Sequence, residues 1–235
     1  MASSAQDQIA ALVQGIQLPL MPISEEVLDV IVEGLTQAFG EAYLGSPTAV
    51  AKGNEADVTA LLESHLKRRI DDDPLWRSIV AHVGRGTESI NFDGEKTEKR
   101  PDLSITLTDR ARSLRFPLIV EAKIIDSPSL KTVKLYCDKG VQRFLDGDYA
   151  WGCREAVMLA YVRDGSELIP AITRHLVVKN GAANRAFGTL SDPVSRPIPK
   201  GELAISHHSR EFLYAHQQPP SDKPGTIALW HVWMA

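Results

Sequence analysis

The stretch "EAVMLAYV", Glu155 to Val162, constrains the fold more than any other. Seven consecutive apolar residues follow Glu155. They show no alternation of polar and apolar positions, so a strand here must be buried on both faces. The run is too short to cross a membrane, which takes about 18 apolar residues or more. A strand with two buried faces needs helices on both sides of its sheet. A chain of 235 residues, 43% of them hydrophobic and 24% charged, has enough material for such a core.

The helices are visible in the pattern. "SEEVLDVIVEGLTQAFGEAYLG", Ser24 to Gly45, carries a stripe of Val27, Val30, Ile31, Leu35 and Phe39. Ser24 suits its N-cap, and Glu25 and Glu26 suit its first turn. Asn54 to Ile70 reads as a second helix with Val58, Leu61, Leu62 and Leu66 inward, ended by Pro74. β structure should follow: Glu88–Phe92, Asp102–Leu107 and Phe116–Ile125, separated by Gly94 and the charged stretch 109–115. A helix over Leu130–Leu145, the strand Glu155–Val162 and a helix from about Pro170 come next. Asp192–Gly201, with three prolines, reads as a loop. "GELAISHH" and "TIALWHVWMA" then read as strands that pair as a hairpin or complete the sheet. The order predicts a mixed α/β sheet flanked by helices, with a three-strand antiparallel meander and a helical crossover to the fourth strand.

Net charge is −4, which argues neither for nor against a nucleic-acid partner. Two cysteines make no disulfide framework, and the start "MASSAQDQIAALVQGIQLPL" lacks the basic, apolar pattern of a secretion signal. The expected location is cytoplasmic, without a membrane partner. Neither a phosphate-cradling P-loop nor a base-reading module is legible. His207, His208 and His231 lack the companions of a zinc site. Trp151, Trp230 and Trp233 read as core or interface aromatics, and Cys137 lacks a neighbouring base.

The chemistry lies in "RPDLSITLTDRARSLRFPLIVEAK", Arg100 to Lys123. Glu121 and Lys123 share one strand face, while Val120, Ala122 and Ile124 share the other. Ile119 and Ile125 flank the charged pair, so these charges enter a mostly buried strand and need partners or a ligand. A hairpin would return Asp102, at the start of one strand, to Glu121 near the end of the next. Two close carboxylates repel unless a cation lies between them, and Mg²⁺ suits such oxygen donors. Lys123 would orient the attacking water or offset phosphate charge.

"PD", eighteen residues, then "EAK" resembles the signature of the PD-(D/E)XK nuclease superfamily. The order helix, meander, helix, strand from Asn54 to Val162 is similar to that superfamily's core. The resemblance implies a restriction-endonuclease-like core over 51–190, with an N-terminal helical extension over 1–50. A C-terminal loop and hairpin over 191–235 would pack on it in the same globular unit. It implies a Mg²⁺-dependent nuclease, with Mn²⁺ able to substitute, acting on nucleic acid, foremost DNA, in restriction, phage defence or repair. Asp102, Glu121 and Glu55 would hold the metal, Lys123 would assist the water, and Gln142 on the following helix would join them. Glu63 is the second choice on the earlier helix. Members with that glutamine carry a tyrosine four residues on; Asp146 stands there, and Tyr149 three later. Arg110, Arg112, Arg115, Lys131, Lys134, Lys139 and Arg143 form the candidate phosphate-binding zone. A homodimer, a higher oligomer or a regulatory protein partner would supply the control that one chain without a reading module lacks. The alternative is a catalytically silent member that binds nucleic acid or serves assembly.

Overall fold

The computed structural model describes residues 5–86, 91–93, 100–108, 114–177, 186–214 and 223–235. A short helix, α1 (Ala5–Val13), comes first. α2 (Glu25–Gly45) starts where the Ser24 hydroxyl accepts from the Val27 N–H. Pro47 opens the short α3 (Pro47–Lys52). α4 (Glu55–Asp72) begins on a full capping box: Asn54 accepts from the Asp57 N–H at 2.9 Å, and Asp57 accepts from the Asn54 N–H at 3.3 Å. Pro74 ends that helix as expected but also starts another, α5 (Pro74–Ile79), because Asp73 accepts from the Leu75 and Trp76 N–H groups.

The meander is present, with a different first strand. It consists of β1 (Val80–Gly84), β2 (Leu103–Leu107) and β3 (Leu118–Ile125). Of the strand expected at Glu88–Phe92, Asn91 and Phe92 lie outside any strand, and 88–90 fall outside the described residues. A bulge between Val80 and His82 disrupts the two-residue period that would have marked β1 in the sequence.

The helix expected over Leu130–Leu145 begins later, on the Thr132 cap, after a 3₁₀ turn at Ser127–Ser129. It is composite: α6 (Val133–Tyr136), a π turn (Cys137–Val141) and α7 (Gln142–Leu145). β4 (Glu155–Val162) follows, then α8 (Leu168–Leu176) with Pro170 in its first turn. The proline-rich loop holds a short strand, β5 (Val194–Arg196). β6 (Glu202–His208) and β7 (Ile227–Met234) pair antiparallel, as expected.

The seven strands form one sheet in the order β1-β2-β3-β4-β7-β6-β5. β3, β4 and β7 run parallel at its centre, and the flanking pairs are antiparallel. The C-terminal pair therefore extends the sheet. β4 is buried on both faces. Val157, Leu159 and Tyr161 join the core that α2 and α4 cover; Ala156, Met158 and Ala160 join the core beneath α6, α7 and α8. No helix among the described residues is long and apolar enough to cross a membrane.

Candidate functional site

The site forms where β3 outruns β2. Their ladder ends at Leu103↔Val120, and Pro101, lacking an N–H, cannot extend it. Continuing the register sets Asp102 opposite Glu121. The N–H groups of Ala122 and Ile124 then find carboxylates in place of a strand. Asp102 Oδ2 accepts from Ala122 at 2.8 Å, and Glu55 Oε2 accepts from Ile124 at 2.9 Å. Glu55 reaches this point as the first residue of α4.

Lys123 lies at the centre. Its Nζ is 2.8 Å from Glu121 Oε1 and 3.7 Å from both Asp102 Oδ2 and Glu55 Oε1. It also donates to the Ala122 carbonyl at 2.7 Å. Arg143 Nη1 approaches the same Glu121 oxygen at 3.2 Å. Tyr149 braces this arginine, accepting from Nη1 at 2.8 Å and donating onward to the Arg100 carbonyl at 2.9 Å. Glu121 is 1% exposed, and its Oε2 is buried without a hydrogen-bond partner. Gly140 lets the composite helix approach this point: a Cβ there would lie 2.4 Å from Met158 Cε.

These surroundings set the charges. Burial, then the charge of Asp102, pushes the Glu121 carboxyl up to about 7, against the pull of Lys123 and Arg143. Burial alone would lower the Lys123 ammonium. Glu121, Asp102 and Glu55 outweigh it and hold the amine above its usual value. Lys123 is therefore a fixed cation at neutral pH and no general base.

The structure gathers Asp102, Glu121, Lys123 and Glu55, as the sequence predicts. Gln142 does not join them: its amide donates to Asp146 Oδ1 at 2.6 Å. Arg143, expected on phosphate, takes the contact with Glu121. The π turn explains the exchange. It inserts a residue into the helix and rotates the residues after it by about 100° relative to an ideal helix. Tyr149 comes in from the turn beyond. Glu63 pairs with Lys67 at 2.8 Å, away from the site. Thr59, one turn before Glu63, is fully buried and bonds the Tyr161 hydroxyl at 3.0 Å.

The basic zone is only partly assembled. Lys131 and Lys139 line a cleft with Glu55 and Lys123. Lys134 is held by Asp138. Arg115 donates to the Ala11 and Gln14 carbonyls, so it fastens the end of α1 and its bonded groups are not free for phosphate. Arg110 and Arg112 lie outside the described residues.

Sequence reasoning missed a buried polar chain beginning at Tyr136 on the cleft wall. Its end fixes its direction, because the Phe187 carbonyl can only accept. His208 Nδ1 donates to that oxygen at 2.8 Å, so its Nε2 accepts from the Ser206 hydroxyl at 2.6 Å. Ser206 accepts from His231 Nε2 at 2.7 Å, and His231 Nδ1 then accepts from the Tyr136 hydroxyl at 2.8 Å, whose proton is shared with the Met158 carbonyl at 3.2 Å. Both histidines are buried and neutral. Burial, then the charge of His208, lowers His231 to about 3; burial lowers His208 to about 4.

Folded values below the unfolded one mean that acid favours the unfolded chain, which binds protons the folded state refuses. From pH 7 to pH 5 each histidine should remove about 2 kcal/mol of stability, and the loss levels off below its folded value. Glu121, with its raised value, contributes in the opposite sense. Urea midpoints at the two pH values for wild type and His231→Gln isolate the histidine. The variant should lose about 2 kcal/mol less on acidification. Equal losses would show that His231 is not held neutral.

The residues present suit a hard divalent cation. The site offers carboxylate oxygens, and the unpartnered Glu121 Oε2 has a lone pair to give. Lys123 already stands among the carboxylates. Among the described residues no group of three or more His, Cys, Asp or Glu side chains stands in a metal-holding arrangement. A bound ion would thus rely on one or two carboxylates, with water or substrate oxygens completing its shell, which is how Mg²⁺ is commonly held. No protein-family model matches the chain, and comparisons with curated proteins and with solved structures gave no match either.

Proposed function

We propose that this chain is a Mg²⁺-dependent nuclease of the PD-(D/E)XK kind, hydrolysing phosphodiester bonds, foremost in DNA, in the cytoplasm. The observation that carries the reading is the convergence of Asp102, Glu121 and Glu55 on Lys123 where β3 outruns β2, with Glu121 Oε2 left unpartnered. Asp102 and Glu121, with Glu55 beside them, would hold the ion, which would polarise a phosphoryl oxygen and acidify a bound water. Lys123, a fixed cation, offsets charge developing on the phosphate. Arg143 and Tyr149 orient Glu121, and Lys131 and Lys139 meet the neighbouring backbone. Restriction, phage defence and repair are settings in which such an activity serves.

One observation favours a second reading, a silent module for binding or assembly. Lys123 and Arg143 already offset the charge of Glu121 without a metal. Incubating plasmid and linear DNA with Mg²⁺, Mn²⁺ or EDTA separates the two. Cutting with either metal, its absence in EDTA and its loss in Asp102→Ala are expected. Cutting that survives Asp102→Ala would end the nuclease reading. An intact substrate under all conditions, single-stranded DNA and RNA included, would leave the silent module.

A further inference from the structure

The cleft beside the carboxylates has a volume of about 500 Å³. Glu55, Lys123 and Ile124 line one side; Lys131, Leu135, Tyr136 and Lys139 line the other. Lys134 has an acidic partner, but Lys131 and Lys139 form no ion pair among the described residues. Two cations are therefore directed at an opening beside a proposed metal site.

Two exposed leucines accompany these lysines in sequence, one of them, Leu135, in the cleft lining. Leu130, next to Lys131, is 79% exposed, and Leu135 is 43% exposed. Leu130 sits in the left-handed region, at φ 60°, which a leucine rarely adopts. Its surroundings enforce this. Asp126 and Lys131 exchange backbone hydrogen bonds at 2.8 and 3.1 Å across the turn. Asp164 accepts from the Ser127 N–H at 2.8 Å and from its hydroxyl at 2.6 Å. The turn is pinned at both ends while it presents an apolar side chain to solvent.

We propose that this cleft takes a single nucleic-acid strand, with Lys131 and Lys139 on its phosphates and Leu130 and Leu135 against the faces of unstacked bases. An intact duplex hides its base faces by stacking, so a protruding leucine reaches them only by prising a base step apart, at a cost of about a few kcal/mol. Unstacked bases expose apolar faces, and apolar side chains such as leucine pack against them. A cleft of this size matches a ligand of one or two nucleotides. The inference deepens the nuclease reading by naming the form of substrate: a single strand, flap or unpaired stretch.

Binding in EDTA tests it independently of cutting. The probes are a labelled strand of about 15 nucleotides and the blunt duplex of the same sequence, followed by fluorescence anisotropy. The full chain should bind the strand about tenfold more tightly than the duplex or better. Lys131→Ala with Lys139→Ala should weaken strand binding at least about tenfold and flatten its salt dependence by about 1.4 in log–log slope. Leu130→Asn, which keeps the left-handed turn, with Leu135→Ser should remove the preference and leave duplex binding unchanged. Equal or tighter duplex binding, an unchanged salt slope, or an acidic peptide competing as well as the strand would each overturn the proposal. Strand binding without cutting would remove the nuclease reading alone. Cutting indifferent to the lysine pair would remove this inference alone.

Discussion

Lys123→Gln is expected to slow Mg²⁺-dependent cutting by about 10²- to 10³-fold while Mg²⁺ binds as well as before or better. The two effects separate because the ammonium has two relations to the site. It lies 2.8 Å from Glu121 and 3.7 Å from Asp102 and Glu55, so it neutralises the oxygens a metal would use. It is also the one cation of the carboxylate cluster that shares the cleft lining with Glu55. Glutamine relieves the competition for those oxygens and removes the charge that a phosphate would meet. Asp102→Asn should behave differently. It loses a carboxylate charge from the same cluster, so both cutting and metal binding fall. The metal readout is the rise in melting temperature on adding Mg²⁺, which requires only preferential binding to the folded chain. Loss of the Mg²⁺ shift in Lys123→Gln would mean that the lysine holds the site together and is not the charge acting on substrate.

Arg210→Ala should destabilise the fold by about 4 kcal/mol, lowering the melting temperature by about 10 °C. Arg210 is 7% exposed and donates to five carbonyls: Ala150, Trp151, Cys153, Pro224 and Gly225. Truncation leaves a cavity and several buried acceptors without donors, one of the few ways a single change becomes severe. The turn it holds includes Ala150 in the left-handed region, at φ 49°. Next to it stands Tyr149, the residue that braces Arg143 against Glu121. Cutting should therefore fall even below the new melting temperature. Arg210→Lys should recover only part of the stability, since an ammonium cannot span the carbonyls that the guanidinium fork reaches. Thermal denaturation of the three proteins checks this; a change under about 1 kcal/mol for Arg210→Ala would refute the role.

Some of this architecture is legible from local pattern. Ser24 and Asn54 announce their helices because capping is a matter of a few adjacent residues. The unbroken apolar run at β4 requires two covered faces, and it has them. The alternation about Glu121 and Lys123, with Pro101 before Asp102, places the carboxylates and the lysine at one strand end. The β1 strand is less legible, since its bulge breaks the period that identifies strands.

By itself the sequence determined what depends on spacing along one element: which residues cap, which faces are apolar, and that Asp102, Glu121 and Lys123 share a face near a strand terminus. Tertiary structure alone decided what depends on phase and approach between elements. A π turn rotated Arg143, and not Gln142, onto Glu121. Sheet order brought His231 of β7 to Ser206 of β6, which shares a strand face with His208, and packing brought Tyr136 of α6 to His231. The reason is physical. Strand and helix periods are fixed by backbone geometry and can be read locally, whereas an inserted helical residue or a distant strand's position is set by packing against partners remote in sequence.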